Sequence, residues 1–294
     1  MAQTEVGKRN LCYLAWLLVL VGIVVAVLMA MQPGGEDISW QAVKMDGHRT
    51  GAVCITQENV NTALGVFEDD EYVAPNGESY YDLESPVPEA AAILMEVQPQ
   101  LAYLKEVVGH SARMMDNARA LDGPLSNLFV DVLRDAGSKY FKVPMDLAIT
   151  NYGGIRVPMP EGAITLDDIT SMFPFKNYMC YVKMQGSELT RLLEQLAETE
   201  AFQAVSGAKV RVKGHKLESA LIGGQPIDPN RVYNVTTIDF LLNGGDGLRI
   251  GAMALDLKLS RVLLRDVMLD YIRDCESKGI LIDSAPDGRV IMED

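Results

Sequence analysis

Asn-Tyr-Gly-Gly-Ile-Arg at residues 151–156 and Asp-Phe-Leu-Leu-Asn-Gly-Gly-Asp-Gly at residues 239–247 decide the reading of this chain. Each follows a short apolar run, Met145–Thr150 in the first case and Val232–Thr237 in the second, so each is a strand that ends in a glycine-rich loop. Glycines let backbone approach a ligand without a Cβ in the way. Beside them stand groups that suit a nucleotide: Arg156 for a phosphate or ribose, Phe240 for a base, Asp246 for sugar hydroxyls. Each has an ordinary alternative. Phe240 fits a core, Asp246 a turn, Asn151 a strand-end cap and Arg156 a surface ion pair.

Outward from these loops, the bulk properties limit the field. The 294 residues are 48% hydrophobic, enough for a core, and carry a formal charge of -14. Nucleic-acid polymers draw their affinity from clustered Lys and Arg, so such a partner is excluded, while a small phosphorylated ligand in a locally basic pocket is not. Leu11–Met31 contain no charged residue and would span roughly 30 Å as a helix. Lys8 and Arg9 precede this run, and Glu36 and Asp37 follow it. The pattern predicts a cytoplasmic tail at 1–10, a transmembrane signal anchor at 11–31 and the bulk of the chain on the extracytoplasmic (periplasmic) side. The alternative is a cleaved signal peptide and a secreted protein. Cys12, Cys54, Cys180 and Cys275 are scattered and form no disulfide framework.

Residues 32–87 read as a polar linker of turns and loop, with the acidic run Glu68–Glu71 either solvated or facing a cation or basic partner. The folded domain is expected over 88–294. Its first helix, from Pro88 to about Gly109, would carry Ile93, Leu94, Val97, Leu101, Leu104, Val107 and Val108 on or near one side and kink or break at Pro99. A second runs from Pro124 to about Lys139 and ends near Gly137. Thr165-Leu166-Asp167-Asp168 is a capping box, Asn177–Met184 a strand, and Ser187 an N-cap for the following helix. Residues 209–213 and 216–221 form a hairpin, Arg261–Lys278 an amphipathic helix and Arg289–Met292 a last strand. Strands and helices interleave without a βαβ rhythm, which predicts an α+β class with a mixed sheet and flanking helices.

Six motifs in order, Asn-x-Gly-Gly-Ile-Arg at 151–156, Phe-Pro-Phe at 173–175, Gly-Ser-Glu-Leu at 186–189, Val-Ser-Gly at 205–207, Phe-Leu-x-Asn-Gly-Gly-Asp-Gly at 240–247 and Gly-Arg-Val at 288–290, give the chain from about residue 90 a resemblance to the C-terminal domain of 5′-nucleotidases. The resemblance implies a nucleotide-binding domain in which Phe175 and Phe240 clamp the base and Asp246 holds the ribose. It assigns Arg156 to phosphate or ribose, Asn151 to a nearby polar edge and Asn177 to the base, with Gly153, Gly154 and Gly245 shaping the loops. Family members place an arginine shortly before the Ser-Asn-Leu helix start that here occupies 126–128, and Arg119 stands near that place, outside the usual register.

In that family hydrolysis belongs to a separate domain with two metal ions, which need converging histidines, aspartates and an asparagine. This chain has three histidines, His48, His110 and His215, in unrelated contexts, with no Asp-x-His or Asn-His pair. The expectation is therefore a split 5′-nucleotidase: this chain binds nucleotide and no metal or other cofactor, and a separate metallophosphoesterase chain carries the divalent metal pair. The alternative is a membrane-anchored nucleotide receptor or scavenger without catalysis.

Overall fold

The computed structural model describes residues 55–56, 58–60, 62–77, 80–117, 121–199 and 202–293. The predicted anchor, Cys12, Cys54, His48 and Arg119 lie outside the described residues. Those described belong to one compact unit, Thr50–Asp294, and none of their helices is long and apolar enough to cross a membrane.

Val66–Glu68 (β1), Glu71–Val73 (β2) and Tyr80–Asp82 (β3) form an antiparallel meander within the stretch expected to be loop. Three-residue strands are too short to show a period of two, and Tyr72, buried at the centre, is the residue that organises them. Pro86–Val97 (α1) follows and gives way at Pro99 to a 3₁₀ turn over Gln98–Lys105. The chain then becomes strand over Val107–Ser111 (β4), so the predicted helix is divided as its proline requires, but Val107 and Val108 lie outside it. Ile93, Leu94, Val97 and Leu101, the apolar residues at helical spacing, are exposed, and only Pro88 and Ala91 of α1 are buried.

The remaining elements are Pro124–Phe141 (α2), Leu147–Thr150 (β5), Gly162–Thr165 (β6), Leu166–Met172 (α3), Tyr178–Gln185 (β7), Gly186–Glu198 (α4) and Ala204–Ser206 (β8). Ala208–Lys213 (β9), Lys216–Ile222 (β10), Gln225–Pro226 (β11), Val232–Ile238 (β12), Asp239–Leu242 (α5), Ala254–Leu263 (β13), Leu264–Ser277 (α6) and Val290–Glu293 (β14) complete them. The central sheet has the order β13-β7-β12-β5-β8 and is mixed, because β5 and β12 run parallel while their outer neighbours run antiparallel. A second mixed sheet, β11-β10-β9-β14, contains the predicted hairpin, and the alternating burial of β9 shows which of its faces meets the core. The α+β expectation with a mixed sheet and flanking helices therefore holds.

Local boundaries follow contacts that single-element patterns do not contain. Thr165 caps α3 as expected, accepting from the Asp168 N–H at 3.2 Å while Asp168 accepts from the Thr165 N–H at 2.7 Å. Ser187, by contrast, is not a cap: α4 starts one residue earlier, and the N–H groups of Gly186 and Ser187 donate to the Arg231 and Pro229 carbonyls at 2.8 and 3.1 Å. α6 begins at Leu264, because Arg261–Leu263 extend β13 along β7.

α2 runs past Gly137 and stops at Lys142, whose φ of 56° turns the chain left-handed. Gly137 is there for proximity: a Cβ would lie 2.8 Å from Thr236 Oγ1 and 2.9 Å from its Cβ, and Thr236 is fully buried on β12. This small residue seats α2 on the sheet. Gly137→Ala is expected to destabilise the fold by about 1–2 kcal/mol, read as a lower urea midpoint, despite the better helix propensity of alanine. An unchanged or higher midpoint would show that the helix can retreat freely.

Arg289 closes the domain. Its guanidinium, 10% exposed, bonds Asp131 of α2 at 2.9 Å and Asp287 at 2.8 Å, and Nη1 also donates to the Val205 carbonyl at 3.2 Å. The hydrogen bond from Arg289 holds the Asp287 carboxyl below its ordinary range against the opposing effect of burial. A lowered folded value means that the stabilisation is fully present above the unfolded value of about 4 and is lost as pH falls through the folded one. Asp287→Asn should therefore flatten the acid limb of the Tm–pH profile below about pH 4.

Candidate functional site

The two glycine-rich loops leave the same end of the central sheet. β5 and β12 are parallel neighbours, with Leu147 opposite Val235 and Ala148 opposite Thr236, so Asn151 and Asp239 emerge side by side. β7 is antiparallel to β12, with Met179 opposite Ile238, and its entry segment Phe175–Asn177 arrives at that same end. Three stretches far apart in sequence thus meet at one sheet edge, where ligands of open sheets commonly bind.

Hydrogen bonds fix their relative placement. Asn151 Nδ2 donates to Asp246 Oδ2 at 2.9 Å, joining the two loops directly. Asp239 Oδ1 accepts from the backbone N–H of Tyr178 at 2.9 Å and from that of Phe240 at 3.0 Å, holding the start of β7 beside α5. Gln195 of α4 donates to the Gly247 carbonyl at 3.2 Å, and Gln203 Oε1 accepts from the Tyr152 N–H at 3.3 Å, so each loop is braced from outside. The braces Asp239, Gln195 and Gln203 escape sequence reasoning. Asp239 has a usable signal, an acid immediately before the exposed aromatic; the two glutamines have none.

Phe175 and Phe240 are 49% and 43% exposed, in contrast to Phe173, which is buried with its ring 4.5 Å from that of Phe129. An aromatic side chain left half in water at a sheet end is available to stack on something else. Each has a fixed backing. The Arg156 guanidinium lies 5.8 Å from the Phe175 ring centroid, its Nη1 donates to the Gly153 carbonyl at 3.4 Å, and its backbone N–H donates to Met172 at 3.0 Å. Phe240 has Gly245 against it: a Cβ there would sit 2.4 Å from the Phe240 carbonyl and 2.5 Å from the ring. Only glycine lets the loop fold back so closely, and Gly244, with φ of 109°, and Asp246, with φ of 49°, supply the turn.

Phe240, Gly245 and Asn177 line an open hollow of about 500 Å³. Gly153 and Asp246 border a second cavity of about 550 Å³ on the α4 side. Asn151 is buried and its Oδ1 has no hydrogen-bond partner among the described residues, with Gly154 so close that a Cβ would lie 3.0 Å from that oxygen. A buried amide oxygen left unpaired is costly and marks a place where a donor fits. Tyr152 is held neutral: burial pushes its hydroxyl well above the ordinary range, with Asp122 adding to the effect, and the hydroxyl donates to the Leu121 carbonyl at 3.1 Å. Asn151, Gly153, Gly154, Arg156, Phe175, Asn177, Phe240, Gly245 and Asp246 therefore gather at one end of the sheet.

The histidines of the described residues stand apart from one another. His110 pairs with Glu276 at 3.0 Å, His215 sits at the turn between β9 and β10 with φ of 59°, and no cluster of three His, Cys, Asp or Glu side chains suited to a metal occurs among the described residues. Cys180 is buried, and burial, with a contribution from Asp239, pushes its thiol up to about 12, so it is not a nucleophile near neutrality.

The family described as 5′-nucleotidase, C-terminal domain, matches residues 105–253, half of the chain. The chain belongs to that family. Among curated relatives, the protein UshA of Yersinia enterocolitica is 32% identical over 106 residues, which is 35% of this chain and 19% of that protein. The apyrase of Tabanus yao is 26% identical over 249 residues, 72% of this chain and 44% of the apyrase. The crystal structure of a 5′-nucleotidase precursor from Thermus thermophilus superposes with a TM-score of 0.62 and 20% identity, over 78% of this chain and 49% of that one. A Haemophilus influenzae NAD nucleotidase has the same fold, with a TM-score of 0.53. The chain thus spans between about a fifth and a half of these relatives.

The bond between the loops is open to measurement. A double-mutant cycle of Asn151→Ala and Asp246→Ala, read by urea unfolding, should return a coupling of about 1 kcal/mol. Strictly additive effects would mean that the loops are held together by their strands alone.

Proposed function

We propose that this domain is the nucleotide-recognising half of a 5′-nucleotidase whose hydrolytic, dimetal half is a separate metallophosphoesterase chain. The observation that carries the proposal is the presence of two half-exposed phenylalanines, each backed by a fixed neighbour, at the sheet end where the Asn151–Asp246 bond closes. In this reading Phe175 and Phe240 stack on the base, and Asn177, beside Phe240, meets its polar edge. Asp246 keeps Oδ1 for ribose hydroxyls while Oδ2 holds Asn151, and Arg156, exposed beyond Phe175, meets phosphate or ribose. Arg119 is a further phosphate contact in the same proposal.

These groups bind and position; none supplies a metal-activated water. The binding energy collected here would place the phosphate at metals held by the partner, where those metals activate the water and offset phosphoryl charge. The exposed apolar strip of Ile93, Leu94, Val97 and Leu101 on α1 and the adjoining 3₁₀ turn supports a docked protein, because such patches are uncommon on solitary domains. The uncharged run at 11–31 would hold the assembly at the membrane, with this domain on the extracytoplasmic side.

Calorimetry with AMP and UMP tests recognition. Phe175→Ala and Phe240→Ala should each weaken binding about 5- to 150-fold, the equivalent of 1–3 kcal/mol per stacked ring. The purified chain should show no metal-dependent phosphatase activity until the phosphoesterase that co-purifies with it from membranes is added. Strong hydrolysis by the chain alone overturns the division of labour, and absence of heat with every nucleotide overturns recognition.

A further inference from the structure

The motifs Val205-Ser206-Gly207 and Gly288-Arg289-Val290 take no part in the site above, and they meet at the opposite end of the central sheet. There a cavity of about 1140 Å³ opens between α2, the β8–β9 turn and the end of β10. It is bordered by Asp146 and Arg231, which precede β5 and β12, so it faces away from the edge that carries Asn151 and Phe240. The two sites share no lining residue.

The cavity wall holds six cationic side chains and four carboxylates, an excess of cations on a chain whose net charge is -14. The pairing makes the excess sharper. Asp131 and Asp287 are both committed to Arg289, Asp146 is committed to Arg231 and to the Asn234 N–H at 2.8 Å, and of the four only Asp135 makes no ion pair among the described residues. Among the described residues, Arg134, Lys139, Lys142 and Lys209 form no ion pair within 4.0 Å. Lys139 and Lys142 stand at the C-terminal end of α2, where they offset its negative dipole end. Arg134 has no such duty; Lys209 makes no ion pair, though its charge helps hold the Asp287 carboxyl below its ordinary range.

Arg134 is half-buried about two turns before the end of α2, and its guanidinium is drawn close by a missing side chain. A Cβ at Gly207 would come 2.9 Å from Arg134 Nη1 and 2.2 Å from the Asp146 carbonyl. Next to it Ser206, 1% exposed, has a hydroxyl with no hydrogen-bond partner among the described residues. A half-buried guanidinium without an ion pair, an unpaired hydroxyl and a flanking lysine form an incomplete set, and a tetrahedral oxyanion with several acceptor oxygens completes it.

We propose that this cavity is a second site, for a soluble phosphate-bearing anion, in which Arg134 makes the principal contact, Ser206 donates and Lys209 adds charge. The site is independent of the nucleotide reading, since it shares neither residues nor sheet end with that cleft.

Pyrophosphate titrated calorimetrically into the full chain tests the site. Saturable binding is expected, weakening as NaCl rises. Arg134→Gln should lower the affinity at least 10-fold and Lys209→Ala a few-fold, while Arg273→Gln, on the exposed side of α6 and outside both sites, should leave it unchanged. Lys209 is exposed on β9, so its variant decides the matter if Arg134→Gln melts early. Absence of saturable binding overturns the proposal. So does binding that withstands Lys209→Ala and Arg134→Gln, or that falls as far with Arg273→Gln.

Discussion

The parallel pairing of β5 with β12 is the constraint on which the rest of the molecule depends. It spans only a few residues, Leu147–Val235 and Ala148–Thr236, yet it sends two loops with different sequence histories out of one end of the sheet. Antiparallel pairing would have placed Asn151 and Asp246 at opposite ends. Packing enforces the choice more than the ladder does: Leu147, Ala148, Val235 and Thr236 are fully buried, and α2 crosses them closely enough that Gly137 has no room for a Cβ beside Thr236. Burying each large aliphatic side chain is worth about 1.5–3 kcal/mol, against about 1 kcal/mol net for a hydrogen bond. The core therefore sets the strand order, and the Asn151–Asp246 bond finishes the alignment.

The two ends of this sheet differ in how charge is held. At the loop end two carboxylates are held by neutral groups, Asp246 by an amide and Asp239 by backbone N–H groups, with a guanidinium resting over an aromatic ring. At the other end, arginines and aspartates interlock. Burial works against the charge on Arg289, but its bonds to Asp287 and Asp131 more than compensate and raise its value above the ordinary one. That interlock ties β14 to α2 and leaves Arg134 beside it without an ion pair. An acidic chain can thus present local surfaces suited to anions at both ends, because net charge says little about a pocket within a Debye length of about 8–10 Å.

Much of this was legible in the sequence, for reasons that can be traced to residue types. The two glycine-rich loops were recognisable as loops because each follows an apolar strand, and Asn151 of one does bond Asp246 of the other. The capping box at Thr165 and the break at Pro99 were recognisable because both act within one turn of chain. Elements whose boundaries depend on a distant partner were not. β13 alternates Leu255, Leu257 and Leu259 with polar residues, but those leucines face solvent on an edge strand, so the pattern does not mark a core face. α1 shows the same inversion, with helical spacing of apolar residues that the described domain leaves uncovered. Gly137 reads locally as a helix end and is a contact point.

By itself the sequence determined the mixed α and β composition, the two loop motifs, their family resemblance and the chemical types offered to a ligand. Those properties live in short windows, where backbone freedom, capping and side-chain chemistry act between near neighbours. The tertiary structure alone decided that β5 and β12 are parallel, that Asn151 spends its amide on Asp246, and that Phe175 rests beside Arg156 while Phe173 enters the core. It also decided that Arg134, unremarkable in the chain, is a guanidinium without an ion pair in the wall of a large cavity. The reason is common to all four: each depends on packing between segments tens of residues apart, which burial of the core selects and no local pattern encodes.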